Sequence, residues 1–182
     1  MEIMGEYGIP SKLITMVKAM YEQSKCAVLD GSGSYDWFDV KTGMKEGCRM
    51  SGFLFLLVID WVMSRTIEGR QTGIRWQLTN KLEDLDFADD VALVASRIVD
   101  MQVKVGNLNI NGKKTGLEIN LRKTVVMKWN VNPGIKIQLE GSDIEEVEKF
   151  VYLGATVTTT GGAGEDIRLV SGWEKHKQSS AT

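Results

Sequence analysis

Residues 82–96 read LEDLDFADDVALVAS: five carboxylates, Glu83, Asp84, Asp86, Asp89 and Asp90, crowd together and give way at once to an apolar run. Like charges at this density raise one another's pKa and resist joint ionisation unless a cation or a basic partner lies among them. Aspartate suits turns, and hydrophobic residues on both sides read as strands. The stretch is therefore predicted as a hairpin with Ala88, Asp89 and Asp90 at its tip. That geometry keeps both tip carboxylates out of the core.

The rest of the chain must supply that core, and 182 residues with 43% hydrophobic content suffice for one domain. A net charge of -2 and a pI near 5.5 argue against a free-standing nucleic-acid binder, for which a pI above about 9 is usual. The charge is unevenly spread. Residues 104–136 hold Lys104, Lys113, Lys114, Arg122, Lys123, Lys128 and Lys136 against Glu118 alone, whereas residues 138–150 hold five acids against Lys149. The basic strip could face a polyanion. Cys26 and Cys48 show neither metal-ligand spacing nor a disulfide pattern, which suits a reducing, intracellular compartment. His176 lies in a polar tail and receives no role. No signal peptide is visible, and the apolar stretch 53–63 carries Asp60 and is short of the roughly 20 residues that cross a bilayer, so no membrane contact is predicted.

Along the chain, Leu13, Ile14, Val17, Met20 and Tyr21 recur at helical spacing over residues 11–24, with Ser11 available as N-cap. CAVLD and YDWFDV flank GSGS in the pattern of a hairpin. Gly43, Gly47 and Gly52 make a loop whose backbone can approach a ligand closely. Ser51 can cap a helix over about 52–67 that is apolar nearly all round and should be buried, with Asp60 turned to a polar edge or a donor. Residues 100–115 form a helix weakened by Gly106 and Gly112, and LEIN, TVVMKWN, IKIQL and FVYLGATV read as short strands.

Two carboxylates displayed on a hairpin offer hard oxygen ligands of the kind Mg²⁺ takes from a protein, with substrate phosphates in its other positions. Phosphoryl-transfer sites often use two such ions.

Five blocks, GIPSKLITMVKAMYEQSKCAV, WFDVKTGMKEGCRMSGFLFLLVIDWVM, LEDLDFADDVALVAS, GLEINLRKTVVM and FVYLGATV, occur in the order and spacing of reverse transcriptases from non-LTR, LINE-like retrotransposons. The resemblance spans about residues 5–168. It implies an α+β fold: a partial polymerase palm over 1–168, an antiparallel sheet packed on helices, with fingers and thumb incomplete and an unstructured tail over 169–182. It implies Mg²⁺, with Mn²⁺ as a substitute, and an RNA template, a DNA primer and a deoxynucleotide as partners. In the family's catalytic box, Asp89 and Asp90 are the metal-binding carboxylates and Phe87 replaces a tyrosine beside the primer. Gly47 and Ser51 belong to the loop that seats template and nucleotide. Lys123 resembles a basic residue near the departing pyrophosphate, and Tyr152, Leu153 and Gly154 resemble a primer-gripping hairpin.

The same comparison shows departures. The family's first catalytic aspartate lies on a strand before the YGIP block, where this sequence has Met1, so that strand is expected to be missing. Glu46 replaces a glutamine, and Gly52 replaces a proline that would stiffen the helix start. A missing central strand predicts negligible polymerase activity in the isolated chain and self-association through an exposed sheet edge. Two rival readings are a remnant that binds nucleic acid weakly through the 104–136 strip, and a phospho-acceptor domain. The latter needs a parallel α/β pattern that these hairpin-like strands do not provide.

Overall fold

The computed structural model describes residues 1–22, 25–30, 33–34, 36–39, 48–69, 71–75, 80–88, 90–129 and 134–159. Gly47, Asp89 and the tail 169–182 lie outside them. The chain forms two compact units, Met1–Ser64 and Arg65–Thr182.

In the first unit, α1 (Glu2–Glu6) leads into α2 (Ser11–Glu22). Pro10, not Ser11, supplies the carbonyl that accepts the first helical bonds, from Leu13 and Ile14 N–H, so α2 starts one residue earlier than the capping pattern suggested. Val17 is buried, but Leu13 and Met20 are exposed. The GSGS hairpin forms as expected: β1 (Lys25–Cys26) pairs antiparallel with β4 (Phe38–Asp39), and β2 (Leu29–Asp30) with β3 (Gly33–Ser34).

The long helix α3 (Arg49–Ile67) begins before Ser51. Ser51 is therefore no cap; it is buried, and its hydroxyl hydrogen-bonds the Tyr21 hydroxyl at 2.9 Å. The expected all-round burial of this helix is not found. Val62 and Met63 are buried, while Phe53 (55% exposed) and Leu56 (53%) are not, because a helix apolar on every side offers more surface than two short helices can cover. Over Met50–Ile67, α3 is long and apolar enough to cross a membrane by length and composition, which the 53–63 run alone did not indicate. Asp60 finds its donor as anticipated. Tyr7 donates to its carboxylate, and Trp61 Nε1 donates to Glu6 at 2.8 Å. Burial and the neighbouring carboxylates of Asp60 and Glu6 push the Tyr7 phenol up to about 12.

The second unit is mixed α and β. β5 (Ile74–Arg75) pairs with β6 (Lys81–Leu82), and β7 (Asp84–Phe87) with β8 (Asp90–Leu93), both antiparallel. α4 (Ile98–Thr115) follows and closes on Gly116 in the left-handed conformation. β9 (Val125–Val126) runs parallel to β12 (Glu145–Glu146), while β10 (Gln138–Leu139) pairs with β11 (Ser142–Asp143), and β13 (Lys149–Tyr152) with β14 (Ala155–Thr158). Among the described residues every pairing is two-stranded, and all but β9 with β12 are antiparallel.

Val105, Ile137, Leu139 and Ile144 form the core of this unit, packed by Leu93, Ile98, Met101, Ile119, Leu121 and Val126. The predicted LEIN strand does not form, because its backbone is spent elsewhere. Leu117 N–H bonds Gly112 O at the helix exit, and Asn120 O accepts from Lys123 and Thr124. Ile119 still reaches the core.

One polar cluster lies beside that core. Lys104, on the inner face of α4, is fully buried, and its Nζ donates to Glu83 Oε2 at 2.6 Å, Glu83 O at 2.9 Å and Val94 O at 2.5 Å. Val94 N–H in turn donates to Glu83 O at 2.9 Å. The carboxylate also accepts from Gly73 N–H at 2.8 Å and from the Thr72 hydroxyl at 3.3 Å. Gly73 is required by close approach: a Cβ there would lie 1.9 Å from the Leu82 carbonyl oxygen. Gly106, by contrast, faces open space.

Two glycine substitutions should therefore shift stability in opposite directions in urea unfolding. Gly73→Ala should lose roughly 2 kcal/mol or more, because the atom it meets is backbone and cannot step aside. Gly106→Ala should gain about 0.5–1 kcal/mol from helix propensity. Equal effects at the two positions would contradict this packing.

Candidate active site

The acidic hairpin is β7 and β8, in the register Asp84 opposite Leu93, Leu85 opposite Ala92, Asp86 opposite Val91 and Phe87 opposite Asp90. Opposed residues share a face and successive residues alternate. Asp84 and Asp86 thus lie on the face of Leu93, which packs on the core. Asp90 lies on the other face with Leu85 and Phe87, and Phe87 is 64% exposed. Asp90 opens the second strand, so only Ala88 and Asp89 separate the strands.

Ala88 takes φ 55°, a left-handed conformation that costs an L-residue roughly 1–2 kcal/mol. Two other hairpins of this unit share the positive φ at the first turn position, Glu140 (51°) and Leu153 (50°), and both follow it with glycine, Gly141 (81°) and Gly154 (84°). Two-residue hairpin turns favour glycine in this way. The sequence has Asp89 at the position where the other two have glycine.

The four described carboxylates separate into distinct environments. Glu83 points inward: burial would raise its pKa, but Lys104 and the donors of Gly73 and Thr72 overcome that and lower it. Its Oε1 is buried and has no partner among the described residues. Asp84 is half-buried, and its pKa is raised by burial, then by Asp86 and Glu83, with Lys104 opposing. Asp86 and Asp90 are exposed. Among the described residues no lysine or arginine forms an ion pair with Asp84, Asp86 or Asp90.

Tyr152 approaches the same place, donating its hydroxyl to the Asp90 carbonyl oxygen over a long 3.4 Å. Burial, then the charges of Asp86, Asp90 and Asp84, raise its phenol pKa. The β13–β14 turn at Leu153 and Gly154 follows directly. The structure thus brings Tyr152 to Asp90. It does not bring Lys123, which stands exposed on the turn after Asn120 with no described bond to the hairpin. Ser51 is occupied within the first unit by Tyr21, so its surroundings are those of a packing residue.

The basic strip read from residues 104–136 dissolves into internal pairs. Lys104 is taken by Glu83, Lys113 pairs with Glu140, Lys128 Nζ lies 2.6 Å from Glu146, and Lys136 lies 2.6 Å from Asp143. Lys114 donates to Asn111. The positive run and the following negative run largely neutralise each other, and Arg122 and Lys123 remain on an exposed turn. Four of the seven basic residues of the strip are thus in ion pairs among the described residues.

Sequence reasoning did not single out Glu83 and Lys104 as partners. The signal was present, since Lys104 falls with Met101, Val105 and Leu108 on the i, i+3, i+4, i+7 stripe of α4. A lysine on that stripe must find an acid.

The family model described as reverse transcriptase (RNA-dependent DNA polymerase) matches residues 1–157. The chain belongs to the reverse transcriptase family. It is also 22% identical over 180 residues to the retrovirus-related Pol polyprotein from type-1 retrotransposable element R2 of Popillia japonica, a match covering 93% of this chain and 30% of that relative. The chain spans about a third of the length of the polyprotein it matches.

The two carboxylates that interact with Lys104 differ in sign toward pH. Glu83, depressed on folding, contributes stability that is full above its ordinary value of 4.5 and is lost as pH falls through its lower folded value. Asp84, raised on folding, opposes folding increasingly as pH rises above its ordinary value of 3.8, and fully above its folded value. Asp84→Asn, melted in metal-free buffer, should raise Tm at pH 7 and lose that advantage below the ordinary aspartate value of 3.8. A lower Tm at pH 7, or an advantage that persists at pH 3, would contradict the burial and repulsion assigned to this side chain.

Proposed function

We propose that the β7–β8 hairpin is the metal-binding element of a template-directed DNA-synthesising site, with Asp89 and Asp90 as ligands and Mg²⁺, or Mn²⁺, as the ion. The observation that carries this reading is the group of exposed carboxylates, Asp86 and Asp90, that have no basic partner among the described residues, beside Asp84 and Tyr152, whose pKa values are raised first by burial and then by these neighbouring charges. Hard oxygen donors without a basic partner fit a small divalent cation. Bound there, the ion would supply charge neutralisation for phosphoryl transfer.

The chain's own residues have separable roles in this reading. Asp90 offers a carboxylate on the outer face, where exposed Phe87 can lie against a primer nucleotide. Tyr152, with Leu153 and Gly154, flanks the same hairpin end and would hold the primer strand toward it. Gly47, outside the described residues, and Lys123, on its exposed turn, are assigned to the template–nucleotide pair and to pyrophosphate by family likeness alone. RNA template, DNA primer and deoxynucleotide are the corresponding partners.

Among the described residues no three His, Cys, Asp or Glu side chains converge to hold an ion. We therefore expect the 182-residue chain alone to bind divalent ions weakly and to extend a primer on RNA negligibly with Mg²⁺ or Mn²⁺. Terbium luminescence, sensitised by nearby Tyr152, should report binding that Asp90→Asn removes. Incorporation abolished by Asp89→Ala would overturn the expected inactivity, and terbium binding indifferent to Asp90→Asn would overturn the metal site.

A further inference from the structure

We propose that Lys104 is a positioning residue for the acidic hairpin, holding the two strand roots so that the Asp90 carboxylate at the far end is presented to the ion. This rests on the metal-binding reading above. Residues Glu83 and Val94 flank the paired segment immediately beyond Asp84 and Leu93, and they are the last rung of the hairpin, joined by Val94 N–H to Glu83 O at 2.9 Å. Lys104 Nζ reaches both carbonyl oxygens of that rung, at 2.9 and 2.5 Å, from a separate element, α4. One ammonium thus ties both strands to the helix. A third bond, 2.6 Å to Glu83 Oε2, balances its charge.

A neutral side chain in place of Lys104 removes the helix-borne donor from both carbonyl oxygens, leaving Glu83 O with Val94 N–H alone, and frees the hairpin to tilt on the core. The same ammonium lies near Asp84 and opposes its raised pKa. Its removal as a mere charge would make the hairpin more negative and tighten cation binding. Positioning and simple electrostatics therefore predict opposite signs.

The test compares Glu83→Gln with Lys104→Met/Glu83→Gln, the second of which restores charge balance in the buried pair. Terbium affinity is read by tyrosine-sensitised luminescence, and exchange of the Val94 amide by NMR. Glu83→Gln leaves Nζ on both carbonyls and should keep affinity within about twofold. The double variant should lose about tenfold in affinity, the scale of a lost outer support, and Val94 should exchange faster than any drop in global stability explains. Unchanged or tighter binding with Val94 still protected in the double variant would overturn the proposal. If the double variant does not fold, a tenfold loss in Glu83→Gln alone would overturn it, since the effect would then belong to the carboxylate. Terbium binding that ignores Asp90→Asn sinks the metal reading instead, and Val94 exchange still decides whether Lys104 holds the rung.

Discussion

The second unit depends on a charge placed where charges are rarely tolerated. Lys104 is fully buried, and an ammonium removed from water is sustained only by a partner and by complete hydrogen bonding. Its three acceptors supply both: one carboxylate for charge and two carbonyl oxygens for its remaining protons. Glu83 is fixed in turn by Gly73 N–H and the Thr72 hydroxyl, and Ser96 donates through both its N–H and its hydroxyl to Thr72 O. The strand before the hairpin, the hairpin root and the following helix thus share one polar knot, with the hydrophobic core of Val105, Ile137, Leu139 and Ile144 alongside.

That knot sorts the acidic stretch. Glu83 is drawn in and neutralised, Asp84 is held half-way, and Asp86 and Asp90 are left outside without a basic partner among the described residues. Because lysines elsewhere in the unit are committed to Glu140, Glu146 and Asp143, the uncompensated charge of the hairpin end is not cancelled locally. Ala88 adopts a left-handed conformation, and the following position carries a carboxylate where Gly141 and Gly154 complete the corresponding turns.

Much of this was legible in the sequence. The acid-bearing hairpin, the GSGS hairpin and the need of Asp60 for a donor follow from local pattern and turn chemistry, and each is found in the fold; FVYLGATV read locally as one short strand, and only the family resemblance implied the hairpin that it forms. What local pattern could not give was pairing across distance. Lys113, Lys128 and Lys136 look like a surface strip until Glu140, Glu146 and Asp143 are folded against them. The burial of α3 was misjudged for a related reason: apolar composition shows that a helix needs cover, not that cover is available. LEIN had the composition of a strand, but a helix exit and a turn claimed its backbone bonds.

The most direct test is a thermodynamic double-mutant cycle on Lys104 and Glu83, with Lys104→Met, Glu83→Gln and the pair unfolded in urea at pH 7. Removing one partner of a buried pair strands the other, so Lys104→Met alone should cost about 3–5 kcal/mol, and the double variant should be less destabilised than the sum of the singles by roughly 2 kcal/mol or more. Additive effects of the two substitutions would show that the pair is not the knot on which this unit is built.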